Sequence, residues 1–286
     1  MLQLVHVEYV MKTFISLFLS ISLLSLTLYS KESRVIYFTP LPMKSMKKNV
    51  KDFLPIIKSL EKDLSIDIKF NNKTNYADIL RGFEDKTIDM AFLGPLPYAV
   101  LKSEYPHIKP IVTFKQKDGS TGYRCVLSKF ENDIIDTSKP LKVALTQPLS
   151  TCGYFMSKKL LKQKYSLNLK DQYYDYTMSH TNAVMGVLKG EFDLAGSTEM
   201  VANKFKSLGI KIVAKSSLLP GFCIVVNTKT LSKDEIESIT NSLLKITDAE
   251  FKKWGSKTKY GLEKADINLY KTLKIRYTIP QKGNML

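Results

Sequence analysis

Cysteine is scarce in this chain of 286 residues, with three in all, and tryptophan occurs once. Three cysteines are too few for a disulfide scaffold, and an odd number leaves one unpaired thiol in any monomer. No phosphate-binding P-loop, dinucleotide fingerprint or zinc-type pair spacing is present, so nucleotide, dinucleotide and zinc enzymes lose their usual signatures, and no cofactor is implied. Acidic residues are also short, 27 against 43 Lys and Arg, for a formal net charge of +16. The excess is mostly lysine scattered along the sequence with no long basic run, which reads as drift in composition or as a surface that steers small anions.

Charge is nearly missing from the first thirty residues, where only Glu8 and Lys12 carry a formal charge and cancel one another, so the net charge belongs to the rest of the chain. The apolar, hydroxylated run after Lys12 has the make-up of an export signal covering residues 1–30, with Met11 as its natural start and Ser30 as the small residue before the cut. A retained anchor is the competing reading, since the run is just short of a membrane crossing. No cysteine stands at its end, so no lipid attachment is expected. The compartment this implies is the periplasm, where nucleic acid is not an expected partner.

About 256 residues remain, enough for two modest lobes. From residue 35 onward apolar runs alternate with amphipathic stretches, which predicts an α/β chain with mostly parallel sheets flanked by helices. Strands are expected at 35–38, 66–70 and 90–93, and helices at 49–64, 76–83 and 96–103. Two segments echo one another: Ile79 to Gly94 and Val187 to Gly196 each run from a helix end with glycine through an Asp that opens a short apolar strand to a glycine turn. One such unit per lobe fits a pair of similar lobes. Extended stretches at 123–128 and 222–227 are the expected crossing strands. They divide the chain into a first lobe of 31–124 with 227–286 and a second lobe of 125–226.

Ser150-Thr151-Cys152-Gly153 follows a strand-like run at 141–145 and opens a helix-like run at 154–164. Free N–H groups at a helical first turn, the helix dipole and two hydroxyls form a place for an anion. An isolated Ser-Thr would be an ordinary N-cap; its neighbours along the chain raise it above that. They are Tyr76 with the helix to Gly82, residues 89–98 with Gly94-Pro95, Gly122-Tyr123-Arg124, His180-Thr181-Asn182-Ala183, Asp193 with Glu199, and Leu219-Pro220-Gly221.

In order and spacing these marks resemble the periplasmic phosphate, phosphite and phosphonate substrate-binding proteins that feed ABC importers, of the class II two-lobed fold. The resemblance implies that Ser150 and Thr151 bind ligand oxygens with the helix amides, and that Cys152 stands where the family usually has a second serine. It implies that His180 is a ligand-facing histidine, Tyr76 an aromatic wall or hydroxyl donor, Tyr98 a neighbour of the turn that faces the anion, and Tyr123 a further cleft residue. Glu199 sits where amine-binding members keep an acid. The second acid of those members is replaced by Phe222, which favours a small oxyanion with no charged tail. The implied partners are the ligand and an inner-membrane permease, for a monomeric protein. His107, beside Pro106, reads as merely exposed.

Cys125, Cys152 and Cys223 all fall near the expected cleft. They read as buried small residues, or as one disulfide with a spare thiol; the sharper alternative is a soft ligand such as arsenite, held by the three sulfurs in a sensor that signals to a histidine kinase. A serine hydrolase is disfavoured, because no acid is placed to orient His180 and Pro148-Leu149 replace the glycine of a nucleophile elbow.

Overall fold

The computed structural model describes residues 34–42, 46–254 and 259–271. The expected export signal at 1–30 lies outside the described residues. The chain divides into a segment Met1–Val35 and a unit Ile36–Leu286, and the sheets and helices of the described residues belong to the latter. No helix among the described residues is long and apolar enough to cross a membrane.

The first half alternates strand and helix: β1 (Val35–Pro40), α1 (Met46–Leu64), β2 (Asp67–Phe70), α2 (Tyr76–Glu84), β3 (Met90–Leu93), α3 (Pro95–Glu104) and β4 (Ile108–Phe114). A short strand, β5 (Gly122–Tyr123), leads to β6 (Cys125–Phe130), β7 (Lys142–Leu145), a wide π-helical turn (Thr151–Met156) running into α4 (Ser157–Tyr165), β8 (Tyr173–Tyr176), α5 (His180–Leu188), β9 (Leu194–Thr198), α6 (Glu199–Lys204) and β10 (Ile210–Lys215). The chain returns through β11 (Leu219–Pro220) and ends with β12 (Cys223–Asn227), α7 (Lys233–Lys245), α8 (Asp248–Lys253), β13 (Leu262–Lys264) and α9 (Ile267–Lys271).

Two mixed sheets result, one ordered β13-β4-β12-β3-β1-β2 and the other β10-β6-β9-β7-β8, with β5 and β11 paired antiparallel as a ribbon. In the first, β1 and β3 are parallel while β12 runs antiparallel to both β3 and β4. In the second, β7 is parallel to β8 and β9, and β6 is antiparallel to β9 and β10. The returning strand was expected in the second lobe. Instead Cys223–Asn227 is fully buried in the middle of the first sheet, its apolar residues 223–226 covered on both faces and Asn227 satisfied by hydrogen bonds to the Phe83 and Ile88 carbonyls.

Each sheet has its own core. Phe53, Ile56, Ile57 and Leu60 recur at helical spacing along α1 and pack on the first sheet, where the Phe53 ring lies 4.7 Å from Phe92 and 5.4 Å from Phe38. The second sheet packs against Leu160 and Leu161 of α4 in one cluster and against Ala183, Val184 and Val187 of α5 in another.

The echo seen in the sequence is a shared device. Asp89, just before β3, accepts a hydrogen bond from the Tyr37 N–H of the adjacent β1 at 2.8 Å; Asp193, just before β9, accepts one from the Lys142 N–H of β7 at 2.7 Å. The backbone reciprocates, with Asp89 N–H donating to Tyr37 O and Asp193 N–H to Lys142 O. Geometry also shifts the helical part of the match by one turn. Seven residues before each Asp, Gly82 and Gly186 lie so close to Ile88 and Phe192 that a Cβ would overlap those side chains, so Gly186 rather than Gly190 is the counterpart of Gly82.

Candidate functional site

A cavity of about 220 Å³ opens between the carboxyl ends of strands from both sheets. Leu41, Tyr76, Gly94, Pro97 and Phe222 line it from the first sheet's side; Tyr123 comes from the ribbon; Thr146, Gln147, Leu149, Ser150, Thr151, Cys152, Met178, Ser179, His180 and Thr198 come from the second. No Asp, Glu, Lys or Arg is among them.

Its second-sheet wall is built where β7 ends. Ser150 caps the following helix, its hydroxyl accepting from the Gly153 N–H at 2.9 Å, while the carbonyl of Ser150 is shared by the Tyr154 and Phe155 N–H groups. That sharing widens the first turn into a π-turn, a local departure often found at functional sites. Glycine is required at 153, because its carbonyl accepts from the Thr146 N–H at 3.0 Å and any Cβ there would run into the Thr146 side chain. A second helix start, α5, enters beside it: Ser179 accepts from the Asn182 N–H at 3.1 Å, and His180 is the first helical residue, half-buried on the cavity wall. Two helix N-termini thus bring their positive ends to one cavity wall.

The first-sheet wall contributes shape more than donors. In the first turn of α3, Pro95 and Pro97 have no N–H, Tyr98 N–H is spent on the Gly94 carbonyl at 3.0 Å, and Leu96 N–H donates to Thr151 Oγ1 at 3.1 Å. An aromatic stack closes the inner end: Tyr123 on Phe222 with centroids 6.2 Å apart, and Phe222 on Phe92 at 5.1 Å and 11°. Burial raises the Tyr123 phenol above its ordinary range, opposed by a hydrogen bond with the Thr151 side chain. Burial likewise raises Tyr76. Both phenols therefore stay protonated and can donate.

Six of the eight residues singled out from sequence meet at this cavity: Tyr76, Tyr123, Ser150, Thr151, Cys152 and His180. Two do not. Tyr98 faces away, packed edge-on against Tyr270 at 5.0 Å within the first core, and burial pushes its phenol up to about 12, with the neighbouring Cys223 adding to the shift. The turn preceding it lines the cavity instead, because Tyr98 sits on the core side of α3. Glu199 is spent on an ion pair with Lys215, and Thr198, one residue earlier, takes the place at the wall.

The three cysteines do not gather at one point. Cys125 and Cys152 form a disulfide with Cα atoms 4.9 Å apart, and Cys223 is buried in the first core with its thiol facing the Leu93 carbonyl. The three-sulfur site of the soft-ligand alternative is therefore not formed: two of its sulfurs are bonded to each other and the third belongs to a different core. No group of His, Cys, Asp and Glu among the described residues could hold a metal ion. Sequence reasoning missed Thr146, Gln147, Met178 and Thr198; the strand-end positions of Thr146 and Thr198 were the available signal, since ligands in open α/β sheets gather there.

Residues 38–271 match the family model of the periplasmic substrate-binding proteins of phosphonate ABC transporters. The chain is 24% identical over 192 residues to the phosphate-import protein PhnD of Mycolicibacterium smegmatis, covering 60% of each chain. It is 24% identical over 238 residues to the phosphonates-binding periplasmic protein of Escherichia coli, covering 78% of this chain and 70% of that one. The fold is similar to PhnD1 of Prochlorococcus marinus, solved in complex with methylphosphonate, with a TM-score of 0.65 and 18% identity over 85% of this chain and 97% of that one. The chain therefore belongs to the phosphonate ABC-transporter family of periplasmic substrate-binding proteins, whose members are binding components and not enzymes.

Proposed function

We propose that this protein captures a small tetrahedral oxyanion without a charged tail, such as phosphate, phosphite or a short alkylphosphonate, and delivers it to an inner-membrane ABC permease. The observation that carries the reading is the asymmetry of the cavity. The second-sheet wall holds two helix starts with Ser150, Thr151 and His180, while the first-sheet side and Tyr123 are aromatic or aliphatic and no acidic side chain lines the cavity. Amide and hydroxyl donors suit the oxygens, and the helix dipoles supply positive potential without a cation. An ammonium tail would meet Phe222, Tyr123 and Leu41 with no carboxylate to balance it, because Glu199 is engaged by Lys215. The volume of about 220 Å³ is below the roughly 300 Å³ at which pockets for drug-sized ligands begin, so a long tail is not accommodated.

The cavity is read as the cleft between a first lobe reaching to residue 124 and a second lobe beginning at Cys125, with the β5–β11 ribbon as hinge and the returning strand β12 counted with the first lobe. The chain acts as an exported monomer, its first thirty residues serving as the signal. Ser150 and Thr151, with Tyr76, Tyr123 and His180, form the ligand set around the backbone amides of residues 151 and 152.

A titration-calorimetry panel on the chain lacking residues 1–30 tests this, using phosphate, phosphite, methylphosphonate, 2-aminoethylphosphonate, arsenate and arsenite. Binding of at least one uncharged-tail phosphorus oxyanion about tenfold or more tighter than 2-aminoethylphosphonate is expected, a difference of about 1.4 kcal/mol. Tighter binding of the amine-bearing ligand, or of arsenite, would overturn the assignment.

A further inference from the structure

Met178 stands on the cavity wall with a left-handed backbone, φ 65°. A Cβ in that region crowds its own backbone, and a long side chain there is uncommon. The other described non-glycine residues with positive φ are Ser65, Lys86 and Ser166, in turns that follow α1, α2 and α4, where a left-handed residue commonly ends a helix. Met178 ends no helix. It is held from both sides: its N–H donates to the Thr146 carbonyl at 3.1 Å, its own carbonyl accepts from Gln147 Nε2 at 3.4 Å, and the next residue caps α5.

Backbone stability does not account for methionine at this position, since glycine would adopt the same angle without strain. The location of the side chain does. It lines the cavity and yet is 66% exposed, so an unbranched, flexible thioether lies at the boundary between the cavity and solvent.

We propose that Met178 is the gate of the cavity: its side chain folds over the mouth beside His180, keeps water from the donors of residues 150–152, and slows release of the bound oxyanion. The inference rests on the reading of the cavity as an oxyanion site and adds a residue whose role is in the rate of release. Shielding a charged hydrogen bond from water strengthens it, so the effect belongs mainly to koff.

Stopped-flow binding of inorganic phosphate and of methylphosphonate to the wild type and to Met178→Gly, Met178→Ala and Met178→Leu is the test, with the melting temperature of each measured alongside. Met178→Gly is expected to melt no lower than the wild type while releasing its ligand about tenfold faster, with kon unchanged or higher. Met178→Leu restores slow release. Wild-type release rates in both Met178→Gly and Met178→Ala would overturn the gate and leave the oxyanion site standing; should the glycine variant misfold, the alanine variant decides. A wild type that binds neither anion would overturn both.

Discussion

The Leu96 N–H donates to Thr151 Oγ1 at 3.1 Å, tying the first turn of α3 to the π-helical turn that opens at Thr151 on the opposite cavity wall. Both groups are buried, and the two prolines beside Leu96 leave that turn with no other N–H to offer across the cavity. The oxygen lone pair of Thr151 is thereby directed at α3, which leaves its hydroxyl proton for Tyr123.

Thr151→Val keeps the shape and strands the Leu96 amide. A loss of about 1–3 kcal/mol is expected, the cost of a buried donor left unpaired. Thr151→Ser should recover most of it. Urea denaturation of the three proteins checks the ranking, and an unchanged midpoint for the valine variant would mean that the amide has another acceptor.

The Cys125–Cys152 disulfide joins the first residue of β6 to the π-helical turn Thr151–Met156 across a sequence separation of 27. Closing a loop of this length in the unfolded chain is worth about 3–4 kcal/mol in the chain-entropy model. Cys125→Ser with Cys152→Ser should lose stability of that order, and the wild type should show a similar loss when unfolded with reductant present. Denaturant midpoints with and without a thiol reductant measure both.

Cys223 provides a pH test. Burial pushes its thiol up to about 12, opposed by a hydrogen bond with Tyr270. The folded state therefore holds the proton where the unfolded chain has released it, so this contribution is intact below the ordinary thiol value of 9.0 and is lost as pH rises from there toward 12. Stability should fall through that window, and Cys223→Ala should flatten the fall by up to about 1.4 kcal/mol per pH unit. In native protein at pH 8, iodoacetamide should leave Cys223 unmodified; labelling appears in denaturant.

Tyr270 braces the connection between the sheets. Its hydroxyl donates to the Gly221 carbonyl at 2.9 Å and lies 3.1 Å from Thr113 Oγ1, linking the returning segment to β4. Tyr270→Phe removes these bonds together with the one to Cys223 and should cost about 1–3 kcal/mol. It should also widen the difference in radius of gyration between ligand-free and ligand-bound protein, measured by solution scattering, since the hinge loses its tie to the first core.

Much of this was legible because the local signals agree with one another. The apolar stripe of α1, the all-apolar β3 and the Asp that opens each of two strands follow from periodicity and side-chain chemistry alone. The helix start at Ser150 could be read for the same reason: Ser and Thr at such a turn satisfy backbone groups that nothing else reaches. The returning strand could not be placed, since Cys-Ile-Val-Val-Asn has no alternation to say which sheet covers it. Pairing among three cysteines is likewise a matter of tertiary geometry. Tyr98 and Glu199 were misplaced by one residue's worth of direction: a position on the correct turn says nothing of which way the side chain leaves it. Met178 carried no signal in the sequence, because its significance lies in a backbone angle.

The order of strands in the first sheet bears on how the chain reaches its folded state. Its interior strand, β12, lies between β3 and β4, with Cys223 opposite both Leu93 and Thr113. All strands of the second sheet, by contrast, come from one continuous stretch ending at Lys215. A chain made or threaded through a membrane from its N-terminus can complete the second sheet first, while the first stays open along its middle until residues beyond 220 arrive. The long-range insertion of one strand thus makes the first sheet the later of the two to close, although it holds the earliest strands of the chain.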